Sequence, residues 1–136
     1  MEWFIYALLS AFFAALVSIF GKIGLKDVDP IAATAIRAVI MAIFMIGVYF
    51  TLEKDLKGLM SKGVLFIVLS AVSGVLSWIF YFMALKKGNV SQEVAVDRSS
   101  VIIAIILSVL ILGEKLTLKT GLAVILVFIG LLLLTI

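Results

Sequence analysis

Long apolar runs, separated by short charged segments, dominate the chain. Such a run occupies residues 3–21, 31–52, 63–85, 93–112 and 118–136. A helix rises about 1.5 Å per residue, so about 20 residues cross a hydrocarbon core of about 30 Å. Membrane strands alternate in character over about ten residues, whereas these runs are continuously apolar. The pattern therefore predicts an all-α membrane protein with five transmembrane helices in one domain, residues 1–136.

Short polar signals mark the ends of several predicted helices. Asp29 can cap the second helix, and Pro30 suits its first position. Ser91 is expected to cap the fourth helix in the same way. Gly113 is expected to end that helix, and Thr117 to cap the fifth.

The first apolar run has an alternative interpretation as a cleaved signal peptide. A signal peptide begins with basic residues and ends at a small-residue cleavage site. Here Glu2 precedes the run and Lys22 ends it. This order favours a retained membrane span.

Composition excludes several classes of function. The chain has 136 residues, is 65% hydrophobic, and contains neither cysteine nor histidine. A soluble domain is nearer half apolar, and a small one cannot bury so much apolar surface. No disulfide, zinc site or imidazole chemistry is available, and no nucleophile–base pair is evident. We therefore expect that the protein is not an enzyme and has no catalytic residue, metal or cofactor. The net charge is +3, and no run of basic residues is long enough to form a nucleic-acid-binding surface.

The distribution of lysine and arginine leaves the orientation open. Five spans put the chain ends on opposite sides, here called side A, where the chain begins, and side B. Side A carries Lys54, Lys57, Lys62, Lys115 and Lys119, and side B carries Lys22, Lys26, Lys86 and Lys87, with Arg37 and Arg98 nearest side B. An excess of lysine and arginine on one side determines the orientation of a membrane protein. The nearly equal numbers on the two sides here therefore have two interpretations. The chain inserts both ways, or weaker signals select one orientation.

Charged residues within two predicted helices are candidates for function. Arg37 lies about 10 Å from side B in the second helix, and Asp97 lies at a similar depth in the fourth. A charge at a helix centre costs about 2.5–3.5 kcal/mol, which an Arg37–Asp97 ion pair would relieve. The pair can bind a polar group of a substrate, or Asp97 or Glu93 can take up and release a proton. The structural alternative is that Arg37 extends to side B, and Glu93, Asp97 and Arg98 lie among headgroups.

Two aromatic residues lie toward the side-B end of the third helix. Trp78 and Tyr81 can form an aromatic wall beside Arg37 and Asp97, able to stack on a cationic or planar solute. The alternative is an interfacial aromatic belt, which suits Tyr81 better than the deeper Trp78. Small residues recur along the first helix, including Ser18, and are expected to serve close helix packing.

Several segments together carry a family resemblance: Thr34-Ala35-Ile36-Arg37, Ala84-Leu85-Lys86-Lys87-Gly88, Val96-Asp97-Arg98-Ser99-Ser100 and Leu110-Ile111-Leu112-Gly113-Glu114-Lys115-Leu116-Thr117. Through them the whole chain resembles the EamA domain of the drug/metabolite transporter superfamily, and most closely its half-size, five-helix members. Arg98 stands where that half-size subgroup usually has lysine. Many full-length members have a kink-forming proline near Val101, which is absent here.

The resemblance implies half of a ten-helix transporter built from two inverted repeats, with the solute site between them. We therefore expect a multi-pass protein of the cell (plasma or inner) membrane that moves a small polar or amphipathic metabolite by alternating access. Its expected partners are membrane lipids, the small-molecule substrate, and either a second copy in a homodimer, parallel or antiparallel, or another half-transporter. The alternatives are a membrane subunit that partners another protein and a component of a lipid-carrier flippase. The expected substrate path comprises Arg37, Trp78, Tyr81 and Asp97, with Asp97 and Glu93 as proton-coupling candidates.

Overall fold

The structure is a computed structural model that describes residues 2–52 and 62–135. All regular secondary structure in these residues is helical. The helices are α1 (Glu2–Gly24), α2 (Pro30–Thr51), α3 (Lys62–Lys87), α4 (Val90–Arg98), α5 (Ser100–Leu112) and α6 (Leu118–Thr135). Over those described residues, five helical stretches are long and apolar enough to cross a membrane, with α4 and α5 together forming the fourth. The predicted fold class is therefore confirmed.

The start of α2 follows the predicted local chemistry. The Asp29 carboxylate accepts hydrogen bonds from the backbone N–H groups of Ile31, at 2.9 Å, and Ala32, at 3.2 Å. Pro30 occupies the first helical position, where its missing N–H costs nothing. This start determines which residues of α2 lie near side B.

The predicted start of the fourth helix is wrong. The helix begins at Val90, so Ser91 lies inside it and Asn89 is the cap residue. The Asn89 side chain makes no capping hydrogen bond to the backbone, and its amide instead donates to the Gln92 side chain at 3.5 Å. Asn89 has the extended backbone (φ −77°, ψ 144°) that is typical of a residue before the first helical turn.

The fourth span is divided at Ser99, where a single uninterrupted helix was predicted. Ser99 donates its backbone N–H to Val96 O at 3.0 Å, and Ile102 donates to Ser99 O at 3.0 Å. These hydrogen bonds join residues three apart, which is the pattern of a 3₁₀ turn rather than an α-helix. Ser99 keeps right-handed dihedrals (φ −60°, ψ −18°), so the turn tightens without proline.

The turn between α5 and α6 also follows the prediction. Gly113 adopts a left-handed conformation (φ 68°) that a residue with a Cβ adopts only at a cost. It ends α5, and Thr117 Oγ1 accepts a hydrogen bond from the Thr120 backbone N–H at 3.1 Å at the start of α6. Local chemistry alone accounts for both features.

The chain forms two compact units, Met1–Lys87 and Gly88–Ile136. In the first, α3 packs against both α1 and α2; in the second, α4 packs against α6 and adjoins α5. The family-like single domain predicted for residues 1–136 stays a prediction. Apolar side chains cover the outside of both units, and in a bilayer they meet lipid or another protein chain.

The tightest packing of the first unit lies at its side-B end, where α1 and α3 end and α2 begins. The buried side chains there are Ser18, Leu25, Thr34, Phe82 and Leu85. Gly21 permits the approach of α1 to α3, because a Cβ at this position would lie 2.7 Å from Phe82 Cε1 and 3.2 Å from Leu85 Cδ2. Small residues serve this purpose generally in membrane helices.

Candidate functional site

Arg37 lies against two aromatic rings of α3. Its guanidinium carbon is 4.5 Å from the centre of the Trp78 ring and 5.3 Å from that of Phe82. Trp78 and Arg37 are both half-buried, whereas Phe82 is 3% exposed. Such cation–π contacts stabilise by about 0.5–1 kcal/mol when exposed and by about 2 kcal/mol when desolvated. The structure thus brings Arg37 and Trp78 together, and Phe82 joins them.

The aromatic contacts leave the hydrogen-bonding capacity of Arg37 for other groups. Guanidinium stacks through its flat faces, whereas its five N–H donors lie in the plane. Within residues 2–52 and 62–87, no acceptor forms a hydrogen bond or ion pair with Arg37. The N–H groups of Arg37 are therefore available to an acceptor on a bound solute.

Tyr81 connects α3 to α1 within the same unit. Its hydroxyl donates a hydrogen bond of 2.6 Å to Ser18 Oγ, and Ser18 in turn donates to the backbone oxygen of Ala14 at 3.1 Å. Ser18 is 2% exposed. The sequence had indicated Ser18 only as a small packing residue, because the spacing of small residues does not reveal a partner on another helix.

A groove of about 630 Å³ lies between α1 and α2, with Phe82 of α3 contributing to its wall. Small-molecule sites typically measure about 300–1,000 Å³ and are lined mostly by apolar side chains. Among the described residues that line this groove, Arg37 alone carries a charge. No sequence pattern indicated the groove, since it depends on how α1 and α2 are spaced by α3.

Two lysines at the side-B end bind backbone oxygens. Lys22 Nζ, at the end of α1, donates to Leu85 O at 2.6 Å in the last turn of α3. Lys86 Nζ donates to Val28 O, in the segment between α1 and α2, at 3.1 Å. A cation near a helix C-terminus is favourable because the last carbonyl groups carry partial negative charge. These contacts hold the ends of α1 and α3 together beside the groove.

Glu93 and Asp97 belong to the second unit. Both are half-buried, and their spacing of four residues puts them on one face of α4. Arg98 is exposed. Because Arg37 lies in the first unit, the Arg37–Asp97 ion pair and the proton-coupling roles of Asp97 and Glu93 stay predictions.

Within residues 2–52 and 62–135, five apolar spans define a multi-pass membrane protein, and one of these spans carries Arg37 against two aromatic rings. Residues 1–136 match the EamA-like transporter family, and the chain belongs to that family. The resemblance drawn from the sequence is thereby confirmed, and the protein is a membrane transporter.

A relative from Sinorhizobium sp supports the same assignment. It is described as an uncharacterized transporter in the cobO 3' region and is 35% identical over 137 residues, which cover 99% of this chain and 97% of that protein. No solved structure gives a match.

Proposed function

We propose that the protein moves a small polar or amphipathic metabolite across the cell (plasma or inner) membrane by alternating access. The observation that supports this most directly is the position of Arg37. A charged side chain within a span is costly and commonly marks a substrate or ion path. Here it borders a groove of molecular size, next to Trp78.

The proposed transporter is an antiparallel homodimer. Transporters built from inverted repeats bind solute where the two repeats meet, and residues 2–52 and 62–135 contain five spans, the number of one repeat. A second copy in the opposite orientation would supply the other repeat. The near balance of lysine and arginine between the two sides supports this arrangement, because no strong bias forces one orientation.

Asp97 is the proposed coupling residue, with Glu93 as its neighbour on α4. In this scheme Asp97 takes up and releases a proton during the cycle. We expect Asp97→Asn to abolish uptake of the substrate into proteoliposomes, while the yield of purified dimer is unchanged. Glu114→Gln, on the exposed turn after α5, is the matched control. Normal uptake by the Asp97 variant would contradict this role.

The orientation of the chain tests the dimer without knowledge of the substrate. A single cysteine is appended after Ile136 and labelled in intact cells with a membrane-impermeant maleimide; the native sequence contributes no cysteine. Labelling of about half the molecules, rising to all after lysis, would support insertion in both orientations. Labelling of all molecules or none would contradict the antiparallel homodimer and favour a separate partner subunit or a parallel dimer.

A further inference from the structure

The groove between α1 and α2 has a chemical character that narrows the substrate class. Its described lining is apolar apart from Arg37, which makes no hydrogen bond or ion pair within residues 2–52 and 62–87. We propose that the substrate is an amphipathic organic anion, with its apolar body in the groove and its carboxylate or phosphate on Arg37. This inference rests on the transport function proposed above and specifies its substrate.

An anionic group fits Arg37 better than a cationic one. Guanidinium binds a carboxylate or phosphate through two parallel N–H···O bonds, and its faces can remain stacked meanwhile. A cationic solute would need a carboxylate beside it, and the described lining residues include none. It would also compete with Arg37 for the ring of Phe82, which lines the groove and whose centre lies 5.3 Å from the guanidinium carbon.

An apolar body follows from the rest of the lining. One wall is a face of α1 that includes Phe13, Val17 and Phe20, and the other is a face of α2 that includes Ile36 and Ile40. A wholly polar anion would lose its hydration there without polar partners in return. The volume of about 630 Å³ lies within the range of small-molecule sites, so we assign the groove to a small solute.

A matched ligand series tests this on the unaltered binding site. The probes are cyclohexylpropanoate, cyclohexylpropanol and cyclohexylpropylammonium, which share an apolar body and differ in charge. Trp3→Phe leaves Trp78 as the reporter tryptophan, since the chain has two. We expect each probe that binds to change the fluorescence of Trp78 in the purified protein in a saturable way. The anion should bind about ten- to hundredfold more tightly than the alcohol, because its contact with Arg37 is charge-assisted. Equal binding of anion and alcohol, or tighter binding of the ammonium, would overturn the proposal.

Substitutions identify the group that binds the anion. Arg37→Gln is expected to remove the preference for the anion, whereas Arg37→Lys keeps part of it. Lys26→Gln makes the same change of charge at an exposed position and is expected to leave binding unchanged. An anion preference that survives in Arg37→Gln would overturn the assignment, with circular dichroism and size-exclusion profiles showing that the variant is folded.

A lipid is the competing occupant. Nanodiscs of phosphatidylcholine and of phosphatidylglycerol provide this arm of the experiment. If phosphatidylglycerol alone changes the Trp78 signal and cyclohexylpropanoate has no effect, the groove holds a lipid and the proposal fails. The cysteine labelling after Ile136 is independent of this result. If the protein binds the anion but inserts in one orientation, only the antiparallel dimer is refuted. If it inserts in both orientations but does not bind the anion, only the proposed substrate class is refuted.

Discussion

The contact between α1 and α3 at Gly21 allows a sharp test of the packing. Replacing Gly21 with alanine adds a single methyl group, which would lie 2.7 Å from Phe82 Cε1 and 3.2 Å from Leu85 Cδ2. The first distance is too short for two carbon atoms, whose optimal separation is about 3.5–4.0 Å. Both neighbours are held by packed side chains, since Phe82 is 3% exposed and Leu85 is 0% exposed. The helices or the Phe82 ring must shift.

The expected cost follows from two opposing effects. Forcing an extra methyl group into a packed region costs about 1–3 kcal/mol. Alanine also restricts the unfolded chain, which stabilises a compatible position by about 0.4–1 kcal/mol. Gly24→Ala, three residues further along α1, is the matched control, since nothing lies within 4 Å of a Cβ there. The two variants should therefore differ in free energy of unfolding by about 1–3 kcal/mol, with Gly21→Ala the less stable.

Reversible unfolding by dodecyl sulfate in mixed micelles, followed by circular dichroism, measures this difference. A second readout is the fluorescence of Trp78 in the Trp3→Phe background. Phe82 contacts Arg37, which contacts Trp78, so a displaced Phe82 ring should alter the surroundings of the indole. Equal stability of the Gly21 and Gly24 variants would refute the close approach of α1 to α3 at this position.

Two further predictions concern single contacts. Tyr81→Phe removes the hydrogen bond to Ser18 and is expected to lower the free energy of unfolding by about 0.6 kcal/mol, and by at most about 1.7 kcal/mol, as for other interhelical hydrogen bonds in membranes. A double-mutant cycle with Ser18→Ala measures the coupling energy, and a coupling energy of zero would argue against the bond. Gly113→Ala is expected to cost about 1–2 kcal/mol because φ is 68° there. Gly113→Asn should cost less, since asparagine tolerates the left-handed region. The free energies of unfolding of the wild type and the two variants test this order, and an asparagine variant less stable than the alanine variant would contradict it.

Local chemistry accounts for the parts of the fold that were predicted from sequence. In lipid every backbone polar group must be satisfied within its own segment, so the length of an apolar run decides whether it can span as a helix. The cap at Asp29 and the left-handed Gly113 involve only neighbouring residues. The turn at Ser99 is also local, but no proline or glycine marks it in the sequence. It was therefore missed.

The candidate site was predictable only in part. Arg37 and Trp78 stood out because charged and aromatic groups are conspicuous in an apolar span, and the depth of each could be counted from side B. Phe82 and Ser18 did not stand out, since one is an ordinary apolar residue and the other an ordinary small one. The bond from Tyr81 to Ser18 joins residues 63 apart in the chain.

The sequence by itself determined the number of spans, several of their ends, the family and the presence of a charge within the second span. The tertiary structure decided which face of each helix meets its neighbours. Lipid is as apolar as the protein interior, so the hydrophobic pattern does not report how a membrane helix is rotated about its axis. The fit of Gly21 against Phe82 belongs to the contact of α1 with α3, and the packing of α2 on α3 puts Arg37 on the rings of Trp78 and Phe82.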